Sequence, residues 1–169
     1  MICSWVFVAL GSNLGDREGY LALARQRLGE LPKTDVVRAS SIEETAPLGD
    51  VPQGPYLNQM VLLRTSLTPR ALFDGCLAIE QEADRERGDR WGPRTLDLDI
   101  VRFGEVTLGD ADLRIPHPEL PNRSFWLREL EELEPHTVRR LPIALPAWAQ
   151  VTEQRRAHIE GVAWLLAVW

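Results

Sequence analysis

Arg90-Trp91-Gly92-Pro93-Arg94-Thr95-Leu96-Asp97-Leu98-Asp99-Ile100 closes on an apolar/acidic alternation, the mark of a half-buried strand. Side chains two apart on a strand share a face. Leu96, Leu98 and Ile100 therefore point one way, and Asp97 and Asp99 the other. Two carboxylates about 6.6 Å apart, at about 3.3 Å per residue, repel unless a cation lies between them. Hard, oxygen-seeking cations such as Mg²⁺ do this, usually together with substrate phosphates. The segment before the strand supplies the complement. Arg85, Arg87, Arg90 and Arg94 stand there against only Glu86 and Asp89, in a chain of net charge −6. Guanidinium forks match phosphate oxygens bidentately. Metal-taking acids beside phosphate-taking arginines suggest chemistry on a nucleoside polyphosphate. Spacing alone favours a plainer reading, a polar strand face with two solvated acids. The arginine run alone likewise reads as a solvated charge run. Side by side, they tip the reading to metal and phosphate.

The rest of the fold grows from that strand, Asp97 to Phe103. Trp5 to Leu10 reads as a first, largely buried strand, and Gly11 to Gly15 as a turn-rich loop. Asp16 can cap a helix with Leu21, Ala24, Leu28 and Leu31 on one face, ended by Pro32. Val36 to Glu44 reads as a second strand. Thr45 to Pro55, rich in Pro and Gly, forms a long loop of the kind that is often functional. Tyr56 to Thr65 is a third strand. Thr68-Pro69 starts a second helix, with Leu72, Leu77, Ile79 and Ala83 on its apolar side. The order β-α-β-β-α-β predicts an α+β, ferredoxin-like core. Beyond Gly104 a short strand at Val106 to Leu108 and helices at Ser124 to Leu133 and Thr152 to Leu166 are expected.

At 169 residues, with 44% hydrophobic and 26% charged residues, one soluble domain over 1–169 is expected. No apolar run approaches the length of a membrane span. The first residues lack the basic and cleavage features of a signal peptide, so the expected location is cytoplasmic. Cys3 and Cys76 are too few for a disulfide framework or a zinc site. The acidic balance argues against nucleic-acid binding, and any anion site must be local. Lys33 is the sole lysine, and no P-loop signature is present.

These motifs, in this order, resemble the 6-hydroxymethyl-7,8-dihydropterin pyrophosphokinase (HPPK) family. The resemblance runs from about Val8 to Pro135. It rests on Ala9-Leu10-Gly11-Ser12-Asn13-Leu14-Gly15, Thr45-Ala46-Pro47-Leu48-Gly49, Tyr56-Leu57-Asn58, Ile79-Glu80, the complete stretch Arg90 to Asp99, Pro116-His117-Pro118 and Asn122-Arg123-Ser124-Phe125. It implies transfer of the β,γ-diphosphate of ATP to the hydroxymethyl oxygen of a reduced pterin, with release of AMP. It also implies two Mg²⁺ ions held by Asp97 and Asp99.

Site residues follow from the matched positions. Arg85, Arg87, Arg94, Asp97 and Asp99 would be catalytic. Glu80, Arg85, Arg87, Arg90, Trp91, Arg94, Ile100, His117 and Arg123 would meet ATP. Thr45, Pro47, Leu48, Tyr56, Asn58, Trp91, Asp97 and Phe125 would form the pterin pocket. Plainer alternatives stand beside several: Glu80 as an exposed helix acid, Trp91 and Phe125 as core aromatics, His117 as structural, Arg90 as a partner of Trp91. Gly88 and the long loops suggest a lid that closes over ATP. No general base is evident. A monomer is expected.

Three positions depart from the family pattern. Asp112 precedes the Pro-His segment and would repel phosphate, Leu77 replaces a polar residue a turn before Glu80, and Glu129 stands where a Pro is usual. Residues 137–169 match nothing. Two other readings compete: another Mg-dependent phosphotransferase, and a non-catalytic nucleotide- or pterin-binding module.

Overall fold

The computed structural model describes residues 3–47, 52–85 and 92–133. The chain divides into two units, Met1–Glu134 and Pro135–Trp169, and all the elements that follow belong to the first. The expected helix at Thr152 to Leu166 lies outside the described residues.

Elements follow in the order β1 (Ser4–Ser12), α1 (Arg17–Glu30), β2 (Thr34–Ala39), β3 (Glu43–Thr45), β4 (Tyr56–Thr65), α2 (Pro69–Glu82), β5 (Asp97–Phe103), β6 (Leu108–Gly109), β7 (Arg114–Ile115) and α3 (Ser124–Leu133). Asp16 caps α1, its carboxylate accepting from the Gly19 N–H at 3.0 Å. Thr68 caps α2, its hydroxyl accepting from the Ala71 N–H at 3.2 Å, with Pro69 in the first turn. Both caps satisfy amides that have no intrahelical partner.

The main sheet has the order β2-β4-β1-β5, and all these pairings are antiparallel. β3 pairs with β4 beyond the end of β2. The single strand expected over Val36 to Glu44 is therefore two. Ser40 makes the break: its N–H donates to Met60 O at 2.9 Å, and its hydroxyl accepts from Met60 N–H at 3.0 Å. The Gln59 amide then takes the Ser40 carbonyl at 2.6 Å. Side-chain groups thus replace the ladder there, and strand geometry lapses until Glu43.

Alternation along the strands feeds two layers. Val6, Val8, Leu10, Val61, Leu63, Leu98 and Ile100 join Leu21, Ala24 and Leu28 of α1 and Leu72, Cys76 and Ile79 of α2 in one core. The intervening Phe7, Ala9, Met60 and Leu62 are also buried, as are Trp126, Leu130 and Leu133 of α3, which packs on β4. The apolar side expected of α2 is adjusted: Leu77 is only half-buried, and Cys76 and Glu80 are buried instead. Of the short strand expected at Val106 to Leu108 only Leu108 is in a strand, β6, which pairs with β7.

Candidate active site

Strand register builds the floor of the site. Gly11 pairs with Asn58 on one side and Asp97 on the other, and Ala9 pairs with Met60 and Asp99. Asn58, Gly11 and Asp97 therefore stand in one row across three strands, with Asp99 in the next row. The centre of the floor has no side chain. A Cβ on Gly11 would lie 3.7 Å from the Tyr56 ring, 3.8 Å from Asn58 Oδ1 and 3.9 Å from Asp97 Cβ. Above it opens a cleft of about 480 Å³, lined among others by Thr45, Tyr56, Asn58, Arg94, Asp97 and Asp99. His117, Arg123, Phe125 and Trp126 line it as well.

The two acids meet different partners. Asp97 is bound twice, by Arg85 at 2.8 Å and by Arg94 at 2.5 Å. Asp99 has looser company, with Arg123 Nη1 and His117 Nε2 each 3.7 Å away. Burial, and then the neighbouring Asp97, push the Asp99 carboxyl well above the ordinary carboxylate range, against the pull of Arg123 and Arg94. Adjacent carboxylates under such mutual strain are the oxygen donor set a divalent cation relieves. Among the described residues no cluster of three or more His, Cys, Asp or Glu is arranged to hold a metal. A cation at Asp97 and Asp99 would complete its shell with water or phosphate oxygens, as Mg²⁺ usually does.

Glu80, expected to meet ATP with an exposed helix acid as the plainer alternative, is neither exposed nor part of the cleft lining. It is 5% exposed, accepts the Leu98 N–H of β5 at 2.8 Å, and forms an ion pair with Arg85. Burial raises its pKa, and Arg85 and the Leu98 amide oppose that. Asp84, at φ 52°, turns the chain after α2 so that the Arg85 N–H returns to Glu80 O at 3.1 Å. Asp tolerates that left-handed conformation better than most residues. Glu80 thus fixes Arg85 against Asp97 from beneath. It does not line the cleft.

Asn13 ties the loops to the sheet. Its Oδ1 accepts the Arg94 N–H at 2.7 Å, and its own N–H donates to Arg94 O at 3.0 Å. Its Nδ2 donates to Gln53 Oε1 at 2.8 Å and Gly54 O at 3.1 Å. One buried amide (7% exposed) therefore positions both the Pro/Gly-rich loop and the loop carrying Arg94. Asn13→Ala leaves three part-buried hydrogen bonds unmade. We expect KM for both substrates to rise about tenfold, the equivalent of roughly 1.4 kcal/mol, with kcat less affected. Steady-state kinetics with unchanged KM values would refute this.

On the opposite wall, His117 Nδ1 accepts the Glu119 N–H at 3.1 Å. A neutral ring must then carry its proton on Nε2, the nitrogen facing Asp99. Burial, and then Arg123, lower the His117 pKa, which favours that neutral form. Asn58 donates to Thr45 Oγ1 at 2.8 Å, and the Tyr56 hydroxyl donates to Gly92 O at 3.3 Å.

The structure brings Thr45, Tyr56, Asn58, Arg94, Asp97, Asp99, His117, Arg123 and Phe125 to one cleft, with Arg85 bonded to Asp97 beside it. Pro47 is half-buried and does not line it. Ile100, expected to meet ATP, is 3% exposed in the core beneath the helices. Strand alternation turns its side chain away from the Asp97/Asp99 face. Leu48, Arg87, Arg90 and Trp91, with the lid expected around Gly88, lie outside the described residues. The concern over Asp112 is removed: Arg70 takes Asp112 at 2.8 Å and Asp110 at 3.1 Å, outside the cleft lining. Sequence reasoning missed Gly11, Asn13, Gln53 and Trp126 as parts of the site. Gly11 and Asn13 lay in a stretch read as a turn and as a family motif, with no site role given to either.

An antiparallel sheet backed by helices makes this an α+β protein, and paired carboxylates under guanidinium groups at one cleft suit a phosphorylated substrate. The family described as 7,8-dihydro-6-hydroxymethylpterin-pyrophosphokinase (HPPK) matches residues 7–135. A 2-amino-4-hydroxy-6-hydroxymethyldihydropteridine pyrophosphokinase of Bacillus subtilis is 43% identical over 127 residues, 75% of this chain and 76% of that one. Its counterpart in Pseudomonas aeruginosa is 42% identical over 130 residues, 77% of this chain and 80% of that one. The chain belongs to the HPPK family. In fold it is similar to a crystallised HPPK-DHPS in complex with substrates, with a TM-score of 0.59 at 14% identity over 79% of this chain. It spans 40% of that chain's length.

Proposed function

We propose that this chain is the pyrophosphokinase of folate biosynthesis, transferring diphosphate from ATP to 6-hydroxymethyl-7,8-dihydropterin. The hydroxymethyl oxygen attacks the β-phosphorus of ATP. The bond from that phosphorus to the α,β-bridging oxygen breaks, AMP leaves with the bridging oxygen, and the alcohol proton is lost. One observation carries this reading most: the row Asn58–Gly11–Asp97, which sets a heterocycle-reading amide and a metal-taking carboxylate on either side of a vacant floor.

Asp97 and Asp99 would hold Mg²⁺, two ions in number, which supply charge neutralisation on the triphosphate and lower the proton affinity of the attacking alcohol. The chain's own groups do the rest. Arg94 and Arg123 bind phosphate oxygens and stabilise charge on the transferred group and on AMP. Arg85 does the same once phosphate competes for its bond to Asp97. Neutral His117 donates from Nε2. Thr45, Tyr56, Asn58 and Phe125 frame the pterin, the amide reading its edge and the aromatics its faces. Positioning supplies much of the rate, since among the described residues no side chain in the cleft is placed as an evident general base. ATP with its metal would bind before pterin.

The fold is read as ferredoxin-like, with β2 and β3 together serving as the second strand of βαββαβ. The order β2-β4-β1-β5 supports it. Among the described residues no helix is long and apolar enough to cross a membrane. We take the enzyme to work as a cytoplasmic monomer.

The test is AMP formation from ATP, Mg²⁺ and 6-hydroxymethyl-7,8-dihydropterin, with controls lacking pterin. Pterin-dependent AMP, matched by equal pterin diphosphate, is expected. ADP or free phosphate would indicate a different phosphotransferase. Binding of both ligands by folded protein without turnover would indicate a binding module.

A further inference from the structure

Arg123 and His117 approach Asp99 from the same wall, yet neither is held by it, since both stand 3.7 Å away. Arg123 also has a buried Nε with no hydrogen-bond partner. A long cationic side chain with so few polar anchors needs another reason to stay in place. Trp126 supplies it. The Arg123 guanidinium carbon lies 4.2 Å from the centre of the indole, within cation–π range. The His117 ring meets the same indole edge-on, with centroids 5.1 Å apart at 85°. Trp126 itself is 2% exposed, locked among buried neighbours on α3.

We infer that Trp126 is a positioning residue: its indole holds Arg123 and His117 aimed at the triphosphate without consuming their N–H donors. The contrast within the site gives the physical reason. Arg85 and Arg94 are held by the Asp97 carboxylate, which occupies their N–H groups, so phosphate must first displace those bonds. An aromatic face holds a guanidinium through its π surface and leaves the in-plane donors unspent. His117 is fixed in the same way from the side, with Nδ1 taken by the Glu119 N–H and Nε2 still facing the cleft. The wall is thus built to offer donors that are already oriented and still free.

This inference rests on reading the cleft as an ATP site, so its test separates the two. Wild-type turnover reads the enzyme assignment, and equilibrium binding of Mg²⁺-α,β-methylene-ATP reads the platform whether or not turnover occurs. Trp126→Met and Trp126→Leu remove the ring while keeping an apolar side chain, and Trp126→Phe restores a ring. Leu130→Ala, on the same helix face and outside the cleft, is the control for loosened packing. Loss of one cation–π and one edge-on contact should weaken analogue binding and raise KM for ATP about tenfold in the ring-less variants. Trp126→Phe should recover most of that loss, and KM for pterin should move less than KM for ATP. Leu130→Ala should lower the melting temperature as much as Trp126→Met while leaving ATP affinity within about twofold. The inference is overturned if the ring-less variants bind the analogue like wild type, or if Leu130→Ala weakens it equally. Should the Leu variant not fold, the Met variant, closer in bulk and flexible, carries the comparison.

Discussion

Asp97→Asn is expected to lower kcat about 10³-fold while leaving a folded protein that retains much of its pterin affinity. The substitution keeps the shape of the side chain and removes its charge. That charge has two duties in the structure. It balances Arg85 and Arg94, whose side chains are only 18% and 27% exposed. It also shares with Asp99 the donor set for Mg²⁺. An amide oxygen is a poor substitute in both. Glu80 still neutralises Arg85 from below, so the fold should hold. Asp99→Asn should lower kcat similarly, but with less effect on stability, because Asp99 forms no close ion pair. The measurement is pterin-dependent AMP at saturating substrates over a Mg²⁺ series. If Asp97→Asn kept turnover within tenfold of wild type, Asp97 would be a structural counter-ion and the metal assignment would fall. Raised Mg²⁺ restoring part of the rate would instead support it.

The second large effect concerns stability and lies in α3. Glu129 is 3% exposed, and neither carboxylate oxygen has a hydrogen-bond partner. Burial pushes its pKa up to about 8, and Glu43 adds to this; Arg128 opposes it and Glu132 raises it further. Arg128 is engaged elsewhere, in an ion pair with Glu43. The folded state therefore keeps a proton on Glu129 from the unfolded value of 4.5 up to about 8, while the unfolded chain releases it. Since the native state binds more protons across that window, stability must fall as pH rises through it and level off above. At about 1.4 kcal/mol per unit, the ceiling is roughly 5 kcal/mol. Glu129→Gln removes the charge in both states and should abolish this share of the slope. Asp99 contributes a slope of the same sign, so the difference between wild type and Glu129→Gln isolates Glu129. Urea unfolding at pH 5 and pH 8.5 measures it. Equal pH dependence in the two proteins would show that Glu129 is not buried in its neutral form.

What the chain states locally differs from what it states only once folded. The alternation at Leu96 to Ile100 is a property of neighbours, and it returned as β5 with Asp97 and Asp99 on one face. Asp16 and Thr68 cap their helices within three residues, so sequence sufficed there too. The apolar spacing of Ser124 to Leu133 was enough for α3. Side-chain period and capping need no partner from elsewhere in the chain, which is why they could be read directly. The family could be read for a related reason: an ordered set of short motifs survives in sequence without any knowledge of contacts. Ile100 shows the limit of carrying roles by motif, because the same alternation that aims Asp99 at the cleft sends Ile100 into the core.

Tertiary structure alone decided the rest. Ser40 splits the second strand through a hydroxyl that reaches Met60, twenty residues on. Glu80 is buried because α2 lands on β5, where the Leu98 amide awaits it. Arg70 neutralises Asp112 across 42 positions, so a charge that looked hostile to phosphate is spent elsewhere. Asn13 binds loops 40 and 81 residues away, and Trp126 becomes a shared platform only because the Pro116-His117 segment docks against the indole that Arg123, three residues before it, already covers. Each depends on strand register and helix docking, which fix distances between residues far apart in sequence. No local pattern encodes those distances. The sequence by itself determined which residues could do chemistry here, and tertiary packing decided which of them are free to do it and what holds them in place.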